Sequence, residues 1–119
     1  MEHKIFNSEL KVLELLWNKG ELTAKDIADL AKEQVGWSKT TTYTVLKKCV
    51  EKGFIKRTEP GFRCRAIVTR QEAQRQETQE LIDRMYGGAA DQLVASLLEG
   101  KALSAEEIDR LRKLVEELK

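Results

Sequence analysis

The stretch GWSKTTTYTVLKKCVEKGFIKRTEPGFRCRAIV, Gly36 to Val68, constrains the fold more than any other part of the chain. Ser38 is placed to cap a helix that ends at Lys52, with Gly53 as its C′ residue. Phe54–Thr58 and Phe62–Val68 then have strand-like content. Between them EPG, with the chain's only proline, suits a tight hairpin turn. The capped helix is an odd one. Its first turns hold four threonines and a tyrosine, all mediocre helix formers. At 100° per residue Thr42, Leu46, Cys49 and Val50 cluster on one face. Thr40, Thr41, Thr44, Lys47 and Lys48 cluster opposite, with Tyr43 on the boundary.

Two helices precede this unit. Asn7 or Ser8 can cap the first, which runs to about Asn18 and carries Leu10, Leu13, Leu16 and Trp17 on one face. Thr23 opens the second, with Asp26 three residues on and Leu22 and Ile27 spaced as a hydrophobic staple. After the hairpin, Thr69 and Glu72 form a capping box for a fourth helix reaching about Tyr86. Its polar first half gives way to Leu81, Ile82, Met85 and Tyr86. Gly87-Gly88 breaks it. A fifth helix carries Leu93, Val94, Leu97 and Leu98 and ends at Gly100. Ser104 and Glu107 open a sixth, with Ile108, Leu111, Val115 and Leu118 spaced 3-4-3.

At 119 residues with 41% apolar content, the chain can bury a real core. No apolar run approaches the roughly 18 residues of a membrane span, and MEHKIFNSEL lacks a signal-peptide core. The expected location is the cytoplasm, with no membrane partner. Cys49 and Cys64 form no CxxC pair, and there is one histidine, His3. A closed zinc site usually takes about four ligands. No metal and no cofactor is expected. Nor does the chain offer a Ser/His/Asp set or a phosphate loop, so catalysis is not expected. Net charge is only +1, but residues 39–65 hold eight basic and two acidic side chains. Basic charge gathered on one helix and hairpin can form a phosphate-binding footprint.

Three helices followed by a basic hairpin is the element order of a winged helix. The expected fold is mostly α with a small β hairpin. An N-terminal winged helix-turn-helix spans residues 1–69, and a three-helix C-terminal dimerisation region spans 70–119. In that arrangement the third helix enters the DNA major groove. The threonines then make sense. Their hydroxyls can meet base edges or phosphates, their methyls can touch thymine, and their small size lets the helix come close. Ser38, Lys39, Thr40, Thr41, Tyr43 and Thr44 are the expected contacts at the start of the helix. Lys47, Lys48, Arg63 and Arg65 suit phosphates. A winged-helix module for protein–protein contact is the alternative. It would present an apolar outer face on the third helix. In the tail, three short helices bury too little to stand alone, and the 108-111-115-118 stripe is too short for an isolated coiled coil. Packing two copies together solves this. The expected faces are Leu81, Ile82, Met85 and Tyr86; Leu93, Val94, Leu97 and Leu98; and Ile108, Leu111, Val115 and Leu118.

WSKTTTYTVLKKCVEKGFI resembles the W-S-x-x-T-x-x-T-x-[LI]-x-R-x-x-x-K-G stretch of the penicillinase-repressor, methicillin-resistance-repressor and copper-transport-repressor family. The matches are Trp37, Ser38, Thr41, Thr44, Leu46, Lys52 and Gly53, with Lys48 in place of arginine. SELKVLELLW resembles the family's first helix through Glu9 and Trp17, and YGGAADQLVASLLEGKALSAEEIDRLRKLVEEL its dimerisation region. The resemblance implies a homodimeric repressor on a palindromic double-stranded operator, contacted by Lys39, Thr40, Thr41, Tyr43, Thr44 and the wing. Several members carry a long basic side chain where this chain has Tyr43. Cys64 and Arg65 replace an aromatic pair in the wing's second strand. Some members are cut by a sensor protease at an Asn-Phe bond. Ser96-Leu97 stands there instead, and the tail lacks the cysteine cluster of copper-responsive members.

Overall fold

The computed structural model describes residues 3–118. The elements in chain order are α1 (Asn7–Lys19), β1 (Leu22–Thr23), α2 (Ala24–Gln34), α3 (Lys39–Glu51), β2 (Ile55–Thr58), β3 (Arg63–Ala66), α4 (Arg70–Met85), α5 (Ala90–Glu99) and α6 (Ala105–Glu117). The expected order of helices and hairpin is present. The sheet is larger than a hairpin, because Leu22 and Thr23 pair antiparallel with Cys64 and Arg63 and give the order β1-β3-β2. Two residues carry no periodicity of their own. They become a strand only because β3 lies alongside.

Helix ends follow local chemistry. Ser38 accepts from the Thr41 amide at 3.1 Å, and Thr23 from the Asp26 amide at 3.1 Å. The boxes at Thr69/Glu72 and Ser104/Glu107 both close reciprocally. The first helix departs from expectation. Its N-cap is Phe6 rather than Asn7 or Ser8, and Glu9 turns back to accept from the Phe6 amide at 2.8 Å. Gly53 at φ 81° takes the left-handed conformation that stops α3 and sends the chain into β2.

The chain divides into two compact units, residues 1–76 and 77–119. In the first, Val12, Leu13, Leu16, Ile27, Leu46, Cys49, Phe54, Ile55 and Cys64 form a continuous core, and Trp17 closes its edge by donating to the Val68 carbonyl at 2.9 Å. Ala73, on the first turn of α4, belongs to this core. In the second unit, Ile82 is buried. Leu81, Tyr86, Leu93, Val94, Ile108 and Leu111 are half-buried, while Met85, Leu97, Leu98, Val115 and Leu118 are exposed. Ile82, expected on an outward face, is therefore covered by its own chain. Leu114 is exposed as well, at 59%. No helix among the described residues is long and apolar enough to cross a membrane.

Both cysteines are free and buried. Burial, reinforced by the nearby Glu9 carboxylate, pushes the Cys49 thiol up to about 12, and burial pushes Cys64 up to about 11. Since the thiolate is the reactive form, a disulfide-exchange probe at pH 8 is expected to leave both unlabelled until denaturant unfolds the chain. Rapid labelling of the folded chain would contradict this placement. The raised values also have a stability consequence. Any contribution from these thiols is intact below the unfolded value near 9 and is lost as pH rises above it.

Candidate nucleic-acid interface

Two faces of α3 do different work. Thr42, Val45, Leu46 and Cys49 are buried, whereas Lys39, Thr40, Thr41, Thr44, Lys47 and Lys48 are exposed. Thr42 resolves its burial by donating from its hydroxyl to the Ser38 carbonyl at 3.2 Å. Thr44 does the same to the Thr40 carbonyl at 2.9 Å. Having given its proton to the backbone, Thr44 turns acceptor lone pairs outward. Thr41 has the reverse polarity. Its oxygen accepts from the Ser38 hydroxyl at 3.0 Å, and its own proton is left to donate. Lys39, Thr40, Tyr43 and Thr44 line one shallow depression on this face. The capped N-terminus of α3 adds the partial positive charge of a helix end.

The sheet supplies a second cationic surface. β3 alternates, with Arg63 and Arg65 exposed and Cys64 buried. Across the strands Lys56 lies directly opposite Arg65, and Thr58 opposite Arg63. Like charges directly opposed repel, and an anion between them removes the cost. Arg63 is committed elsewhere for part of its charge, since its guanidinium meets Glu21 at 3.3 Å. Arg57 lies 2.6 Å from Glu59 and stacks 3.7 Å above the Phe62 ring centroid. The Phe62 amide, and after it Arg57, hold the Glu59 carboxyl below the usual carboxylate range.

Phe62 then touches α3. Its ring meets that of Tyr43 edge to face, with centroids 5.8 Å apart and planes at 79°. Tyr43, in turn, has the Lys39 ammonium 5.7 Å from its centroid. All ten residues expected at the interface lie on α3, at its cap, or on β3. Lys56, Arg57 and Phe62 lie beside them on the same hairpin. Period-two alternation could have found Lys56, because it marks every second residue of both strands. Nothing local points to Phe62.

The penicillinase repressor family profile matches residues 5–117. The chain belongs to the penicillinase repressor family. It is therefore a transcriptional repressor and not an enzyme. Among curated relatives, the repressor is 27% identical over 115 residues to the methicillin resistance regulatory protein MecI of Staphylococcus aureus strain N315, covering 95% of this chain and 94% of that one. It is 25% identical over 118 residues to the penicillinase repressor of Bacillus licheniformis, covering 98% and 92%. An uncharacterised 16.5 kDa protein of Latilactobacillus sakei is 30% identical over 115 residues, covering 95% and 79%.

Proposed function

We propose that the repressor acts as a homodimer in the cytoplasm. Each protomer inserts α3 into the major groove of one half of a palindromic operator and sets its wing, β2–β3, on the backbone. Ser38, Lys39, Thr40, Thr41, Tyr43 and Thr44 face base edges and nearby phosphates, and Lys47, Lys48, Arg63 and Arg65 take phosphates. The observation that carries this reading is the outer face of α3, where short hydroxyls of opposite hydrogen-bonding polarity sit between lysines at a capped helix start. That face is polar and cationic, which disfavours an apolar protein-docking role. Dimerisation uses the exposed stripe of Met85, Leu97, Leu98, Leu114, Val115 and Leu118, flanked by half-buried Leu81, Tyr86, Leu93, Val94, Ile108 and Leu111.

The test is a fluorescence-anisotropy titration, over a salt series, on duplexes that the chain selects from a random-sequence pool. Affinity is expected to fall steeply, with a log–log slope of about −0.9 per phosphate neutralised. Lys47→Ala is expected to weaken binding to all sequences alike and make the slope shallower by about 1. Salt-insensitive binding would sink the proposal, and an unchanged slope would remove Lys47 from the phosphate contacts. Thr44→Val keeps the shape but deletes the outward acceptor. It is expected to relax preference at one base position, read by repeating the selection.

A further inference from the structure

We propose that Phe62 is a positioning residue for DNA recognition. Through its edge-to-face contact with Tyr43 it clamps the wing to α3, so that groove reading and backbone contact act as one rigid unit. The inference rests on α3 and the wing forming the DNA interface.

The base of the wing is held by Ile55 and Cys64 in the core, and its exposed tip by less. Its strands are four residues each, and β1 adds only two paired positions. A hairpin this short is marginal alone. Phe62 anchors it to α3 and α2 and closes its own turn. Its ring packs on Tyr43 of α3, its carbonyl accepts from the Ala24 amide at the start of α2 at 2.9 Å, and its amide donates to Glu59 at 3.0 Å. Arg57, stacked on the same ring, is thereby fixed beside the third helix.

The backbone gives an independent sign. Phe62 sits at φ 48°, directly after Gly61 at φ 88°. A bulky residue in the left-handed region is an outlier, and such conformations persist where surrounding contacts hold them and cluster at functional positions. Glycine or asparagine would serve the turn with less strain. The ring is what they lack.

Tyr43 takes a different role as a result. A long basic side chain at that position would reach outward alone. The Tyr43 ring is instead engaged with the wing, and the Lys39 ammonium also lies beside it. Its effect on sequence preference then acts through the placement of the wing arginines as much as through its own hydroxyl.

The experiment uses the full-length chain and fluorescein-labelled duplexes that the wild type recovers from a random pool. Phe62→Leu and Tyr43→Ala are each expected to weaken binding about three- to tenfold, the worth of one aromatic pair. Each should also make the salt slope shallower by about 1 for every wing arginine withdrawn from phosphate. The double variant is expected to bind no worse than the weaker single one, and Tyr43→Phe, which keeps the ring against Phe62, to keep the wild-type salt slope whatever its hydroxyl contributes to affinity. Arg65→Ala should lower the slope in the wild type but leave it unchanged in Phe62→Leu. Should Phe62→Leu unfold, Tyr43→Ala and Tyr43→Phe carry the comparison. Additive losses, an unchanged slope in Tyr43→Ala, or a slope in Tyr43→Phe as shallow as in Tyr43→Ala would each overturn the clamp while leaving DNA binding intact. A wild type that recovers no duplex overturns the DNA interface itself, and the clamp with it.

Discussion

Replacing Lys52 with methionine is expected to cost the N-terminal unit about 3 kcal/mol of folding stability, near the lower end for breaking a buried ion pair. Glu9 is fully buried, and its Oε1 accepts from the Lys52 ammonium at 2.9 Å and from the Phe6 amide at 2.8 Å. Its Oε2 is buried with no hydrogen-bond partner among the described residues. The same ammonium donates to the Lys4 carbonyl at 3.2 Å and lies 3.9 Å from the Phe6 ring centroid. Lys52 thus ties the start of α1 to the end of α3. Removing it leaves a carboxylate out of water with one amide for company. Urea denaturation measures the loss. The double variant Glu9→Gln with Lys52→Met is expected to lose less than the two single losses combined, since deleting both charges leaves neither stranded. A loss below about 1 kcal/mol for Lys52→Met would mean that the pair behaves as an exposed one.

The second large effect concerns the C-terminal unit. Introducing Leu114→Glu and Leu118→Glu together is expected to give a monomer by light scattering. Affinity for a duplex with two half-sites should fall by about 10²–10⁴, the usual gain from linking two binding modules. Affinity for a single half-site should stay near its wild-type value. Both leucines are exposed in the protomer, 59% and 86%, so the charges disturb little within one chain. A chain ending at Gln76 makes the same point from the other side. It keeps Ala73 in the core and the Gln76 side chain's bond to the His3 carbonyl at 2.9 Å, so it is expected to fold and remain monomeric. A variant that stayed dimeric would reject the stripe as the dimer contact.

Much of this architecture is readable along the chain. Ser38, Thr23, Thr69 and Ser104 announce their helices because a cap is a contact between residues three apart, and sequence spacing is then the same as spatial spacing. The division of α3 into a buried and an outward face follows from its 100° period in the same way. The exception at Phe6 shows where such reasoning stops. Asn7 and Ser8 are better capping residues, but Glu9 is drawn inward by Lys52, 43 residues away, and fixes the helix start one residue earlier.

The interface divides along the same line. The sequence by itself determined that a threonine-lysine face would precede a basic hairpin, because helix period, caps and turn residues act over a few positions. Only the tertiary structure decided that Leu22–Thr23 would become a strand, that Arg63 would share its charge with Glu21, that Ile82 would be covered by its own chain, and that Phe62 would meet Tyr43. Each depends on residues brought together by packing of elements far apart in the chain. Close-packed side-chain contacts of that kind have no period for a sequence to display.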